Sequence, residues 1–170
     1  MNKTDVELRL HPLFAARDWD FRRLCKLGAA FVRDRPVTPY FRPRVLRKRP
    51  GVYQIDGYVG VIDQEFERTR IRSAARPAGG HSPCLSLNIA NLKPLLGVQD
   101  IHEISAEKNL KAFADTVTGL METMPHDADA LAAAFAKNML LGVPFENYAV
   151  TERHDEFEAL RRFVSREAVR

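Results

Sequence analysis

The sequence predicts an α+β fold, namely a small antiparallel sheet of three to four strands with an N-terminal helix and three C-terminal helices packed on one face. The prediction depends on where the hydrophobic period changes along the chain. It is helical early, alternates in the middle, and is helical again from Ser105 onward. With 170 residues, of which 45% are hydrophobic, the chain can bury one core, so residues 1–170 are predicted to form a single domain.

The N-terminal helix is predicted over residues 17–34, RDWDFRRLCKLGAAFVRD, and ends before Pro36. Apolar residues recur there at three- and four-residue spacing and form one stripe: Phe21, Leu24, Cys25, Gly28, Phe31 and Val32. At 100° per residue a neighbouring stripe carries one aromatic and three basic residues: Trp19, Arg22, Lys26 and Arg33.

Residues 42–59, RPRVLRKRPGVYQIDGYV, predict a hairpin with Pro50-Gly51 at its tip. This turn would pair Lys48 with Tyr53, Leu46 with Ile55 and Arg44 with Gly57, and would bring Asp56 within reach of Arg47. Hydrophobic alternation is clearer in the second strand, where Gly57 is interpreted as the mark of a bulge. The first strand is therefore predicted to be an edge, protected from unwanted pairing by its basic residues.

The remaining elements follow from turn signals and periodicity. Residues 72–83 are predicted to be a loop, Leu85, Leu87 and Ile89 alternate as in a strand, and VQDIHEIS (98–105) supplies a short further strand. The three C-terminal helices are predicted from Ser105, as N-cap, to Pro125, from Asp129 to Leu141 with closure at Gly142, and from Glu152 to Arg166.

The positive charge belongs to the first half of the chain. The net charge is +4, but residues 1–76 hold 17 Lys and Arg against 9 Asp and Glu, whereas residues 77–170 hold 9 against 13. Such an imbalance indicates an anionic partner for the first half. Two cysteines are too few for a disulfide framework, and neither a membrane-spanning stretch nor an apolar leader is present. These features are typical of a cytoplasmic, bacterial-type protein without membrane contact.

Residues suited to catalysis or metal binding are sparse. His81, Cys84 and His102 lack the paired spacing of a zinc site, so no metal and no cofactor is predicted. Asp63, Glu65 and Glu67 would share one side of a continuing strand and face three alternating arginines: Arg68, Arg70 and Arg72. We interpret them as a solvated strand end in preference to a Mg²⁺ site. An enzyme whose pocket combines these carboxylates, His81 and His102 near the 72–83 loop is the third-ranked alternative.

The predicted site is a basic surface on the N-terminal helix and the first hairpin, consisting of Trp19, Arg22, Lys26, Arg33, Arg42, Arg44, Arg47, Lys48 and Arg49. Arginine contacts carboxylates and phosphates well, and Trp19 would supply a stacking surface. We expect a non-enzymatic binding module that holds an acidic protein partner, with self-association through Asp155, Glu156 and Glu158 as a variant. The alternative is nucleic-acid binding through the same residues, although no recognised nucleic-acid-binding motif accompanies them.

Overall fold

The computed structural model describes residues 3–24, 28–73, 85–89, 103–104, 107–147 and 154–167. The helices are α1 (Lys3–Ala15), α2 (Gln64–Ser73), α3 (Glu107–Glu122), α4 (Ala128–Ala136) and α5 (His154–Glu167). The strands are β1 (Asp20–Leu24), β2 (Gly28–Val32), β3 (Val37–Arg49), β4 (Val52–Asp63), β5 (Leu85–Asn88), β6 (Glu103–Ile104), β7 (Met139–Leu140) and β8 (Val143–Pro144). The predicted α+β class, with an N-terminal helix and C-terminal helices, is confirmed. Among the described helices, none is both long and apolar enough to cross a bilayer.

Six strands form one antiparallel sheet in the described part of the chain. Their order is β1-β2-β3-β4-β5, and β6 pairs with β4 near the start of that strand, while β7 and β8 make a separate hairpin. The sheet is larger than the predicted three to four strands. The additional strands, β1 and β2, come from the segment that was predicted to be the N-terminal helix.

The predicted helix over 17–34 is therefore wrong, and the N-terminal helix is the upstream α1. Asp18 has a left-handed backbone (φ 60°) that turns the chain out of α1 and into β1. In the β1–β2 hairpin Phe21 lies opposite Phe31, so these two share a face because of pairing across strands and not because of helical spacing. Phe31 also stacks on Phe14 of α1, with ring centroids 4.1 Å apart. Packing against α1 thus overrides a pattern whose spacing is helical.

The main core lies between one face of the sheet and the helices. Its α1 members are Val6, Leu10 and Phe14; its α3 members are Leu110, Phe113, Ala114, Val117 and Met121; its sheet members include Phe31, Phe41, Val45, Tyr53, Ile55, Val59, Val61, Leu85 and Leu87. Phe14, Phe31 and Phe41 form a row of near-parallel rings with interplanar angles of 14–19°. The alternation of β5 is as predicted, since Leu85 and Leu87 face this core opposite Val61 and Val59.

The opposite side of the sheet, called here the back face, carries a smaller buried cluster of Ala30, Val32, Tyr40 and Ile62. Tyr40 lies opposite Gly60, and its hydroxyl donates to the Leu85 carbonyl at 3.4 Å. A Cβ at Gly60 would come within 2.7 Å of the Tyr40 ring and 2.0 Å of the Leu85 carbonyl oxygen. The glycine therefore leaves the space that the tyrosine ring occupies.

The hairpin formed by β3 and β4 turns at Pro50-Gly51 as predicted, with Gly51 at the positive φ (77°) that the second turn residue needs. Its register differs from the prediction by one residue. A bulge at Lys48 pairs Arg47 with Tyr53, and therefore Arg44 with Asp56. Gly57 pairs regularly with Pro43, so the bulge lies at Lys48 and not at Gly57. Because of this extra residue, each β3 side chain before Lys48 lies on the face opposite to the one predicted.

The carboxylates after β4 do not continue the strand, because α2 begins at Gln64. Asp63 is buried, and its Oδ1 accepts a hydrogen bond from the Phe66 backbone N–H at 2.8 Å, which is the geometry of a helix N-cap. Glu67 is buried, whereas Glu65 is exposed and contacts Arg68 at 3.3 Å. The predicted strand end with carboxylates on one side is therefore wrong.

The C-terminal helices are present with shifted limits. α4 is capped by Asp127, whose carboxylate accepts from the Ala130 N–H at 2.8 Å, and it ends at Ala136 instead of Leu141. Gly142 does not close this helix. Leu141 and Gly142 both have positive φ (55° and 72°) and form the two-residue turn between β7 and β8. The 72–83 loop after Ser73 and the proposed Ser105 cap lie outside the described residues.

Candidate binding surface

Trp19 does not lie on the predicted surface. Its side chain is 1% exposed and belongs to the main core, held by a hydrogen bond from its backbone N–H to the Phe14 carbonyl. The expectation of an exposed indole came from the helical stripe over 17–34, and it is wrong because this segment forms strands. The indole Nε1–H has no hydrogen-bond partner among the described residues.

Arg22 is exposed but paired with two acids. Its Nη2 lies 2.7 Å from Asp20 Oδ2 and 2.8 Å from Asp34 Oδ2. Two hydrogen bonds, the one to Asp34 with the larger effect and the one to Asp20 with the smaller, raise the pKa of Arg22 above its ordinary value. Because two carboxylates surround one guanidinium, this position adds no unbalanced positive charge to the surface.

Arg33 is likewise matched by acids. It forms ion pairs with Glu122 of α3 and, at 3.4 Å, with Asp18, while the neighbouring Arg35 lies 3.0 Å from Glu122. These contacts tie the loop after β2 to the end of α3. Lys26, the remaining member of the predicted helix stripe, lies outside the described residues.

The hairpin places Arg42 and Arg44 on the back face of the sheet. Arg44 lies opposite Asp56, and its Nη2 contacts Asp56 Oδ2 at 2.6 Å. This hydrogen bond raises the pKa of Arg44 above its ordinary value. The predicted partner of Asp56 was Arg47, and the one-residue change of register explains the difference. Arg42 is exposed and forms no ion pair with any described residue.

The tip of the hairpin carries three further cations, Arg47, Lys48 and Arg49, all of them exposed. None forms an ion pair with an acid in the described ranges. Arg47 projects on the core side of the strand opposite Tyr53, and Lys48 occupies the bulge. The cations therefore surround the end of the hairpin. We call β3 from Arg42 to Arg49 the basic hairpin end.

Within the described residues, the backbone of the basic hairpin end has a strand partner on one side only. β2 pairs with β3 only at Tyr40 and Phe41, which are flanked by Pro39 and Pro43. Proline has no N–H to donate to a ladder, and the β2–β3 pairing lies between these two prolines. From Arg42 to Arg49, β4 is the only strand in the described part of the chain that pairs with β3. As a whole β3 lies between β2 and β4, so the prediction that it is an edge strand is wrong; only its Arg42–Arg49 segment has no described partner on the β2 side.

A cavity of about 350 Å³ lies on the back face beside the start of α2. Its polar side chains bond to each other and to the backbone, since Gln64 Nε2 donates to Thr38 Oγ1 at 2.8 Å and Thr38 Oγ1 donates to the Arg35 carbonyl. Arg22 and Arg68 at its rim contact acids of their own. Nothing in this cavity pairs a nucleophile with a base.

The residues expected for an enzyme site are not assembled in the described structure. Asp63 caps α2, and the described ranges contain no cluster of three His, Cys, Asp or Glu side chains able to hold a metal ion. His81, Cys84 and His102 lie outside the described residues.

Fold and surface together define the class: an α+β protein whose antiparallel sheet extends into a long hairpin with a basic end. No protein-family model matches the chain, and no curated protein or solved structure is significantly similar to it.

Proposed function

We propose that the protein is a non-enzymatic, cytoplasmic binding module that holds an acidic segment of a partner protein at the basic hairpin end. The observation that carries the proposal is the contrast between two groups of cations. Arg22, Arg33 and Arg44 are paired with acids of the same chain. Arg42, Arg47, Lys48 and Arg49 are exposed, and no acid in the described ranges pairs with them. Four cations without an acid partner in the described ranges thus lie within eight consecutive residues.

The spacing of these cations suits an extended ligand. Arg42 to Arg49 spans about 23 Å along a strand at roughly 3.3 Å per residue. A single exposed ion pair contributes only about 0.2 to 1 kcal/mol, so an acidic segment must engage several cations at once. A run of six to eight residues rich in Asp and Glu has the length to do so.

The open edge of β3 supports the same interpretation. An extended peptide can add a strand to a free sheet edge, where main-chain hydrogen bonds supply affinity and side chains supply specificity. Such a peptide would lie along the Arg42–Arg49 edge and bring alternate acidic side chains near the cations. The charges would also accelerate encounter with an acidic partner.

Nucleic acid is the second candidate, because a two-stranded ribbon with basic side chains can enter the major groove. Two observations reduce its support. Trp19 is buried and offers no stacking surface, and β6 pairs with β4 at Tyr53 and Gln54, which widens the ribbon on its other side. We therefore favour the acidic protein segment.

The test is fluorescence anisotropy at moderate salt with four labelled probes: a twelve-residue Asp/Glu peptide, single-stranded DNA, single-stranded RNA and duplex DNA. The hairpin variant combines Arg47→Glu with Arg49→Glu. The control combines Lys111→Glu with Lys137→Glu, two exposed cations on other elements that give the same change of net charge.

We expect the hairpin variant to bind the acidic peptide at least about tenfold more weakly, and the control to change by less than about twofold. Equal losses in both variants would mean that only net charge matters and would contradict the proposal. Tighter binding of an oligonucleotide, with a steep dependence on salt, would favour the second candidate instead.

Self-association is a variant of the same proposal, with the acidic face of α5 as the partner surface. In the described part of α5, Glu158 is half-buried and lies 3.8 Å from Arg161. The side chains of Asp155 and Glu156 lie outside the described residues. Sedimentation of the hairpin variant tests this: a wild-type dimer that becomes monomeric only in the hairpin variant would identify the partner as a second copy.

A further inference from the structure

A groove of about 430 Å³ lies beside the start of the basic hairpin end. One wall is formed by Leu8 and His11 of α1, and the other by residues of β1, β2 and β3, among them Phe21, Arg42 and Pro43. Arg42 therefore belongs both to the groove and to the basic hairpin end. The lining is mainly apolar, with two charged side chains: Arg42 on the β3 side and Glu7 on the α1 side.

The groove exposes more apolar surface than its surroundings. Leu8 is 59% exposed and Phe21 is 41% exposed, and among the described residues only two other large apolar side chains, Leu46 and Met139, are comparably exposed. The His11 ring contacts the Phe21 ring, with centroids 4.1 Å apart, so the α1 wall and the strand wall meet in packed rings. Grouped exposed apolar side chains typically mark an interaction site.

The position of the groove follows from the backbone. The pairing of β2 with β3 covers only Val32 with Tyr40 and Phe31 with Phe41, and Pro43, two residues further along β3, has no N–H to donate. Ala29 of β2 and Pro43 of β3 both line the groove. The free edge of β3 thus begins at the same point where the groove opens between the two strands.

From this continuity we infer that the groove receives one apolar side chain of the acidic segment, which acts as an anchor while the acidic residues lie along the basic hairpin end. The inference rests on the proposed function and specifies which sequence pattern the acidic segment must have. The ligand is an extended segment in which one large apolar residue stands at a fixed distance from a run of Asp and Glu. The charge of Arg42 favours acidic residues on the β3 side of the anchor, whereas Glu7 disfavours them on the α1 side.

The experiment is a display selection with a library of randomised twelve-residue peptides, performed on the full chain. We expect selected peptides to be rich in Asp and Glu and to carry Leu, Met, Phe or Trp at one fixed position relative to the acidic run. Replacing that residue with serine in a synthetic peptide should weaken binding about tenfold or more.

Two protein variants locate the anchor site. Leu8→Asp changes an exposed groove residue, and Met139→Asp makes the same kind of change at an exposed apolar residue of β7, away from the groove. Peptides selected on Leu8→Asp should still be rich in Asp and Glu but should no longer carry an apolar residue at a fixed position. Peptides selected on Met139→Asp should show both features. Circular dichroism confirms that both variants are folded.

The outcomes separate the two proposals. Acid-rich peptides without a fixed apolar position, or an apolar position that Leu8→Asp leaves intact, would overturn the anchor and leave the proposed function standing. Selected peptides that are not acid-rich would overturn both.

Discussion

Arg44 of β3 and Asp56 of β4 lie directly opposite each other on the back face of the sheet, with Arg44 Nη2 2.6 Å from Asp56 Oδ2. Asp56 is buried and also accepts a hydrogen bond from the Gly57 N–H at 2.8 Å, whereas the Arg44 side chain is half exposed. The pair therefore neutralises a carboxylate that the sheet has removed from water. Within a basic segment, this arginine has a structural role that its neighbours lack.

We expect Arg44→Ala to lower the free energy of unfolding by about 1 to 2 kcal/mol, because Asp56 would stay buried without its charged partner. Arg47→Ala should change it by less than about 0.5 kcal/mol. Urea denaturation of both variants measures the difference. Equal effects would show that the ion pair contributes nothing particular to stability.

The pH dependence of the same pair has a definite sign. Because the hydrogen bond to Asp56 raises the pKa of Arg44, the arginine's contribution is fully present below the ordinary arginine pKa. It is lost only in strongly alkaline solution, as pH rises through the raised pKa. The stability difference between wild type and Arg44→Ala should thus be constant from about pH 6 to 9. A difference that falls steadily across this range would contradict the assignment.

Gly60 and Gly119 should respond oppositely to alanine. A Cβ at Gly60 would overlap the Leu85 carbonyl oxygen and the Tyr40 ring, so we expect Gly60→Ala to destabilise the protein by about 2 kcal/mol or more. Gly119 is exposed within α3 and has nothing within 4 Å of its Cβ position, so Gly119→Ala should stabilise by about 0.5 to 1 kcal/mol. Thermal denaturation of both variants checks this: the melting temperature should fall for Gly60→Ala and rise for Gly119→Ala.

Asp63 should be sensitive to loss of its carboxylate because it caps α2 from a buried position. We expect Asp63→Ala to cost about 1 to 2 kcal/mol and Asp63→Asn distinctly less, since asparagine also accepts from the Phe66 N–H. Asp127→Ala removes the exposed cap of α4 and serves as the comparison, with a cost of about 1 kcal/mol. If asparagine were no better than alanine at position 63, the cap would not be the reason for the loss.

Trp19 is the only tryptophan in the sequence and is buried, so the tryptophan fluorescence of the protein measures the exposure of this one side chain. Its fluorescence in the folded protein should be poorly quenched by acrylamide and should not change when an acidic peptide binds to the hairpin. Trp19→Phe should cost less than about 1.5 kcal/mol, because it removes a buried N–H that has no partner among the described residues, whereas Trp19→Ala should cost about 3 to 5. Strong quenching would place the indole at the surface after all.

Local signals in the sequence were enough for part of this fold. Pro50-Gly51 determines its turn, the alternation of Leu85 and Leu87 determines β5, and the stripe from Leu110 to Met121 determines α3. In each case the pattern and the burial that it produces lie within one element. The fold class follows from these elements.

The errors arose where distant residues decide the local structure. Phe21 and Phe31 are ten positions apart and share a face because they pair across a hairpin and pack on His11 and Phe14 of α1. Their spacing also fits a helix, so periodicity alone could not distinguish the two structures. The bulge at Lys48 has no local signal either, and it alone changed the predicted partner of Asp56 from Arg47 to Arg44.

The candidate site was predictable in part for the same reason. The run of cations in residues 42–49 is visible in the sequence, but the pairing of β2 with the first part of β3, which makes β3 an interior strand, is not. Which cations of the predicted surface are neutralised was not visible, because Arg22 meets Asp34 and Arg33 meets Glu122 only once the chain is folded. The groove beside Leu8 depends on α1 packing against β1–β3 and has no sequence signature.

The prolines of β3 have one more consequence, which concerns polymerisation. An unpaired strand edge ordinarily invites the same edge of another molecule, the first step towards an ordered aggregate. Here two such edges would bring Arg42, Arg47, Lys48 and Arg49 of both molecules together, and the missing N–H of Pro43 would interrupt the shared ladder. Like charges and the missing N–H thus both disfavour edge-to-edge pairing of two copies along this segment.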